Sequence, residues 1–485
     1  MEISGVANFD GIPLNLKWNE IFTDKDYLRR YQLSFNFDAN LKQKAGIDFQ
    51  ALSAPYIRGS IPTLATITVY KDDKMEIDID GNLQGAGIDY SFLGFKKKNG
   101  EEGVIGSKIL LKEGKLISIP SFSLSKPGFS LKGKIDLTPD GKVKLIDVGS
   151  IKGPDTDARA RIEIIDENNV KIVVSGKSYN LAPFFNKDED EIKADKERRR
   201  QMSLNDALNR NKKDEKDSWE DVPNTDINIA VDSLWTNKNV AIHNFAGTAK
   251  LKKGIGVEEM HLIGNFASSR KNGKISNLKL DYVPRPQKEY LLTIESNDAG
   301  STLKFLRLYD NMRGGRLSIN AKRNIDKTFV GHVKIRDFNV YKTPVFAKLL
   351  TVASLTGMVN LLTGEGIAFS HFDAPFVYAD KILEIEEGRA FGNVVGISGS
   401  GTYSMKYQDF DIKGMIAPAY GLNTFIGSIP LVGSLLSGKD GTVFAANYSI
   451  KGDVDDPDIG FNPLSALSPN SLKELVNSTF GKQDE

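Results

Sequence analysis

The sequence predicts a mainly β protein: a long, curled antiparallel sheet forming an apolar groove, with one apolar helix near the C-terminal end. Three observations predict it. Apolar and polar residues alternate with period two over most of the chain, as in Met75, Ile77 and Ile79 against Glu76, Asp78 and Asp80, which gives a strand one apolar and one polar face. Turn dipeptides recur at short intervals (Asp80-Gly81, Asn99-Gly100, Asp140-Gly141, Asn272-Gly273) in a chain holding 44 glycines, the pattern of antiparallel meanders. Helical patterns are few, so little is available to cover the apolar faces. The sheet must then close on itself, pair with a second sheet or curl into a trough. About 25 to 30 strands are expected, and at about 4.8 Å per strand one continuous sheet would extend about 120 to 140 Å.

The bulk composition narrows the function classes. Hydrophobic residues make up 40% of the 485 and charged residues 26%, enough to fold most of the chain around buried apolar surface. Sixty-four basic and 63 acidic side chains leave a net charge of +1, which exerts no long-range pull on nucleic acid. Cysteine is absent, excluding disulfides, thiolate catalysis and cysteine-ligated zinc. The opening MEISGVANFDG has neither the basic nor the apolar region of a signal peptide. No apolar run reaches the roughly 18 residues of a spanning helix. The expectation is either a cytosolic protein or a downstream piece of something anchored elsewhere.

In chain order, residues 1–185 read as a first β segment. Its alternation returns in Leu131, Gly133, Ile135 and Leu137 against Lys132, Lys134 and Asp136. Residues 186–222 break the pattern. They are dense in both charge signs and nearly free of β-branched residues, a solvated insert, disordered or partly helical. Acids flank Arg198-Arg199-Arg200 on both sides, so a charge-balanced linker is expected there and not a nucleic-acid patch. Residues 223–343 resume the strands, with Leu317, Ile319 and Ala321 against Arg316, Ser318, Asn320 and Lys322, then Phe329, Gly331, Val333 and Ile335 against Val330, His332, Lys334 and Arg336. Residues 344–364 read as the helix. Pro344 suits a first turn, Gly364 and Gly366 suit its end, and Lys348 is its one charged residue. A helix apolar all round is buried against the β core or placed against a bilayer. Residues 365–485 form a C-terminal β segment. Within it, Leu422 to Leu436 is apolar but broken by Gly427, Pro430 and Gly433, so it folds onto the helix as a loop or dips into lipid.

Motifs that carry chemistry are scarce. His243, His261, His332 and His371 are scattered, with no pair at metal-ligand spacing. Gly433 to Lys439 matches most of a phosphate-binding loop, but Asp440 stands where a hydroxyl must meet magnesium, and a strand follows instead of a helix. Glu76, Asp78, Asp80 and Gly81 begin like a calcium loop, yet Gly87 occupies the place of its bidentate glutamate. Asp453, Asp455, Asp456 and Asp458 surround Pro457 and read as a turn. No nucleophile elbow, zinc-helix motif or dinucleotide fingerprint occurs. No enzyme activity, cofactor or metal is expected.

One resemblance stands out over residues 290 to 470. Asp298-Ala299-Gly300 precedes the helical-looking Leu303 to Leu308 and Gly314-Gly315-Arg316-Leu317. Pro344, Leu349-Leu350, Ser354-Leu355-Thr356-Gly357, Leu361-Leu362, Gly364, Gly366-Ile367 and Phe369 follow. Then come Pro418 to Asn423, Ile429 to Gly433, Asp456-Pro457 and Asn462 to Pro469. In these blocks the chain resembles the C-terminal region of the AsmA-like family of Gram-negative envelope proteins, in its YhdP-like branch of α-proteobacterial type, with an architecture similar to TamB. The resemblance implies a periplasmic β-groove, associated with the inner membrane, that carries phospholipid between the inner and outer membranes. The family's N-terminal membrane helix has no counterpart in this chain, and the charged insert is a second departure.

The alternation and the resemblance together place the expected contacts. Groove-facing residues are Leu317, Ile319, Ala321, Val333, Ile335, Met75, Ile77 and Ile79. A membrane-facing or end-capping set comprises Phe346, Leu349, Leu350, Leu361, Leu362, Phe425, Ile429 and Leu431. The partners are phospholipid acyl chains, an inner or outer membrane surface and envelope proteins, with no nucleic acid. The competing readings are a structural or assembly factor for outer-membrane biogenesis, with the same residues filling a dry core, and an unrecognised hydrolase with a polar pocket.

Overall fold

The structure is a computed structural model that describes residues 2–9, 11–20, 27–44, 54, 56–90, 94–185, 219–220, 222–237, 239–267, 275–352, 366–405, 407–418, 446–454 and 456–463. The protein is mainly β. Twenty-four of the 27 described strands belong to one large mixed sheet that does not close, and three to a small one. The chain divides into two compact units, Met1–Asn186 with Asp221–Lys253, and Lys187–Glu220 with Gly254–Glu485.

In the first unit the strands are β1 (Glu2–Phe9), β2 (Ile12–Glu20), β3 (Arg29–Phe37), β4 (Ile57–Gly59), β5 (Ile61–Val69), β6 (Lys74–Asn82), β7 (Ala86–Tyr90), β8 (Phe95–Lys97), β9 (Val104–Lys112), β10 (Lys115–Lys126), β11 (Phe129–Leu137), β12 (Val143–Gly153), β13 (Thr156–Asp166), β14 (Asn169–Asn180), β15 (Asn224–Asn237) and β16 (Val240–Lys252), with short helices α1 (Ala39–Lys44) and α2 (Ala182–Phe185). Strands β1, β2, β3, β5, β6 and β9 to β14 pair antiparallel in that order. Then β15 lies parallel to β14, Asn169 opposite Asn224 and Asn180 opposite Trp235. This corrects the expectation of a purely antiparallel sheet. A parallel neighbour requires the chain to return the length of β14, about 40 Å for a 12-residue strand. Residues 181–223 connect the two strands and hold the charged insert, most of which lies outside the described residues.

Strands β4, β7 and β8 form the small sheet. It lays Ile57, Ala86, Ile88 and Phe95 over Leu124, Phe129, Leu131, Val148 and Ile151 of β10 to β12, and these residues form one buried cluster. Phe95 meets Phe129 edge-on at 5.3 Å. Two of the expected turns occur, with Gly100 at φ +91° and Gly141 at φ +84°. Asp80-Gly81 is instead inside β6. A side chain at Gly81 would meet the γ2 methyls of Ile105 and Ile61 at 2.8 and 2.9 Å, so the glycine there makes room for cross-strand isoleucines. Asn272-Gly273 lies outside the described residues.

In the second unit the strands are β17 (Gly256–Phe266), β18 (Ser276–Arg285), β19 (Glu289–Ser296), β20 (Met312–Arg323), β21 (Phe329–Val340), β22 (Ile367–Ala379), β23 (Ile382–Gly392), β24 (Val395–Ser404), β25 (Asp409–Pro418), β26 (Ala446–Asp453) and β27 (Asp458–Pro463), with helices α3 (Ala299–Phe305) and α4 (Pro344–Val352). All pair antiparallel in sequence order. Helix α3 starts earlier than the sequence suggested because Asp298 caps it: its Oδ1 accepts from the Ser301 amide at 2.9 Å. A side chain at Gly300 would lie 2.4 Å from the Met312 carbonyl, and one at Gly315 3.2 Å from the Ala299 Cβ. The Asp298-Ala299-Gly300 and Gly314-Gly315 blocks thus seat a short helix directly on a strand backbone.

Candidate functional site

In the first unit the apolar residues fall into transverse rows, because directly paired residues in a ladder share a face. Met75, Ile77 and Ile79 of β6 face Val69, Ile67 and Ala65 of β5 on one side, and Leu111, Ile109 and Ser107 of β9 on the other. All three are half-buried. A second row runs Ile135–Ile146–Ile162–Ile172–Ile227 across β11 to β15 and ends at Ala249 of β16. Each of its five isoleucines is half-buried. Further along the same strands and on the same face lies the row Leu131–Ile151–Ala158, buried to 5, 5 and 6% exposure. Burial therefore rises along the strands toward the end covered by the small sheet, and the isoleucine row lies at the less covered end.

The opposite face of this unit carries ion pairs beside exposed apolar residues such as Val6, Leu64 and Val104. Lys108 reaches Glu76 at 2.6 Å and Asp78 at 3.2 Å, so the acids that imitate a calcium loop hold a lysine across the ladder. A depression of about 910 Å³ also lies on that side. It sits over the row Asn15–Ser34–Leu64–Asp80–Gly106–Ser123, whose parity is the reverse of the apolar rows.

In the second unit Leu317, Ile319, Ala321, Val333 and Ile335 share one face, in the rows Leu280–Ile294–Ile319–Val333–Ala374, Leu278–Ser296–Leu317–Ile335–Phe372 and Leu292–Ala321–Gly331. Their surroundings differ from those of the first unit. Leu317, Ile319, Ala321 and Ile335 are 3, 9, 2 and 3% exposed, and Val333 is half-buried. On α4, Phe346, Leu349 and Leu350 are buried at 9, 3 and 0%. The Phe346 ring lies 6.1 Å from Phe369, which stacks on Phe338 at 5.3 Å. Three of the end-capping set are therefore packed into the unit's own interior. Leu361, Leu362, Phe425, Ile429 and Leu431 lie outside the described residues, as does the apolar segment Leu422 to Leu436.

On the polar face of the second unit several titratable groups pair across and along strands. His261 bonds Asp281 through Nδ1 at 2.7 Å and Glu259 through Nε2 at 3.1 Å, and Asp281 also holds Lys279 at 2.8 Å. These contacts push the His261 pKa up, the Asp281 bond most, and hold Asp281 below the carboxylate range. His332 bonds Asp373, which Lys334 approaches at 3.6 Å. No cluster of three or more ligating side chains is placed to hold a metal ion among the described residues.

The isoleucine row had a local signal in the sequence, the alternating isoleucines of residues 143–174 and 224–231. Its lateral alignment did not, because it depends on the register of five separate pairings. Comparison with family models and with curated proteins gave no match to this chain.

Proposed function

We propose that the protein is a non-enzymatic phospholipid-binding and transfer groove supporting inner-to-outer membrane lipid transport in a Gram-negative envelope. In this reading it works in the periplasm beside the inner membrane. The observation that carries the proposal is the half-buried row Ile135–Ile146–Ile162–Ile172–Ile227, an aligned apolar surface on one face of the first unit. Each methylene left in water costs about 0.8 kcal/mol. A phospholipid with roughly 30 acyl methylenes therefore costs on the order of 20 kcal/mol to expose. Aliphatic rows that curl around the acyl chains remove much of that penalty while the headgroup stays hydrated. Met75, Ile77 and Ile79 extend the same kind of surface over β5, β6 and β9.

The test is lipid extraction and native mass spectrometry on the purified full chain, with transfer of labelled phospholipid between vesicles. Bound phospholipid and accelerated transfer are expected. Both should fall at least about tenfold in Ile146→Asp/Ile162→Asp, which sets two carboxylates against acyl chains; thermal melts check that this variant folds. Absence of both lipid and transfer in the unaltered chain overturns the reading.

A second reading, a structural or assembly factor, draws support from the second unit. There the expected groove residues Leu317, Ile319, Ala321 and Ile335 are closed off at 9% exposure or less, as in a filled core. A protein partner captured with no lipid would favour it.

A further inference from the structure

At the hairpin end of β18 to β25 the apolar face of the second unit terminates in a row of a different kind. Tyr290 of β19 pairs with Arg323 of β20, Arg323 with Phe329 of β21, and Phe329 with Tyr378 of β22. The row continues through Leu383 to Tyr403 and Phe410. The rings are in mutual contact range: Phe329 to Tyr378 at 6.1 Å, and Tyr403 to Phe410 at 5.0 Å. Tyr290 also stacks on Tyr282 at 5.1 Å with the planes 6° apart. Tyr290 is 8% exposed, whereas Arg323, Phe329, Tyr378, Tyr403 and Phe410 are half-buried.

Arg323 is unusual in this row. By parity with Leu317, Ile319 and Ala321 it stands on the apolar side. Its guanidinium lies 5.4 Å over the Tyr290 ring and hydrogen-bonds the Tyr282 hydroxyl. It makes no ion pair among the described residues. Lysines of the opposite face do: Lys322 holds Glu289 at 2.6 Å, and Lys279 holds Asp281 at 2.8 Å. A half-buried cation without a counter-charge is costly, and one aromatic face and one neutral hydroxyl offset only part of that cost. A guanidinium has five donors in a planar fork suited to two oxygens of one phosphate. Tyrosine rings beside it have the apolar body and polar tip that favour the boundary between hydrocarbon and water.

We propose that Arg323 and its flanking rings hold the phosphodiester and glycerol region of a glycerophospholipid. The occupant follows from the charge on an otherwise apolar face and from the aromatic boundary running across it. This assignment rests on the lipid reading above and adds to it a headgroup-recognition site in the second unit.

The test uses the full chain with three probes: vesicles containing dioleoyl phosphatidylglycerol, vesicles containing dioleoylglycerol, and glycerol 3-phosphate in solution. Wild type should take up the phosphatidylglycerol at least about tenfold better than the diacylglycerol, the scale of charge-assisted hydrogen bonds. Arg323→Gln should bring that ratio near one by lowering phosphatidylglycerol uptake. Arg323→Lys should keep an intermediate ratio, because it retains charge without the fork. Circular dichroism and melting confirm that both variants fold. Lipid uptake with the same ratio in wild type and Arg323→Gln overturns the headgroup site and leaves the lipid reading intact. Glycerol 3-phosphate binding that depends on Arg323 and matches the lipid's affinity overturns the lipid source of the phosphate. No uptake of either lipid by wild type overturns the lipid reading and this site with it.

Discussion

His261 and His371 belong to the same unit, yet their surroundings drive them in opposite directions. Hydrogen bonds to Asp281 and then Glu259 raise the His261 pKa. Burial, reinforced by Arg336, lowers that of His371, with Asp373 opposing. For His261 the stabilisation is fully present below the ordinary histidine pKa and is lost as pH rises through the raised folded value. For His371 the unfolded chain takes up a proton more readily than the folded one, so stability falls as pH drops through the ordinary histidine pKa. NMR titration of the imidazole Cε1 protons should give His261 the higher midpoint; a His371 midpoint at or above it refutes the assignment. Sequence placed His332 in an alternating strand, but the identity of its partner depends on the register between strands.

Among the elements, α3 shows how a string of small residues acts through backbone proximity. Asp298, 4% exposed, caps the helix. Thr302, fully buried, donates to Ser296 Oγ at 2.7 Å. Gly300 and Gly315 let helix and strand touch. Asp298→Ala should therefore lower stability by about 1–2 kcal/mol, whereas Asp298→Asn, which still accepts from an amide, should lose only a few tenths. Urea midpoints at constant slope measure the difference, and equal losses in the two variants would show that capping is not the cause. The strands themselves were legible as period-two segments. Their lengths and turns were less so. Asp80-Gly81 has the composition of a turn, but the packing of Ile61 and Ile105 across Gly81 keeps it within β6.

For the molecule as a whole, 64 basic and 63 acidic side chains nearly cancel, and many of them pair across strands on the polar faces, as Lys108 does with Glu76 and Arg316 with Asp337. In the lipid reading proposed above, uptake by such a surface should be driven by apolar contact and not by field. Extraction from anionic vesicles is thus expected to change less than about threefold between about 50 and 500 mM salt, a range over which screened attraction would collapse. A steep loss with salt, read by the same vesicle assay, would place the driving force in charge instead. Among the described residues no helix is long and apolar enough to cross a membrane.

Sequence by itself determined the β class, the assignment of Met75, Ile77, Ile79, Leu317, Ile319 and Ala321 to apolar strand faces, and the helix beginning at Pro344. Each of these follows from neighbours a few residues apart, where alternation and side-chain direction are local properties. Tertiary structure alone decided that β15 runs parallel to β14, that five isoleucines from five strands align, and that Ile162 is half-buried while Leu317 is 3% exposed. Pairing partners and cover come from residues far apart in the chain, and parity says which face a side chain takes but not what, if anything, lies over it.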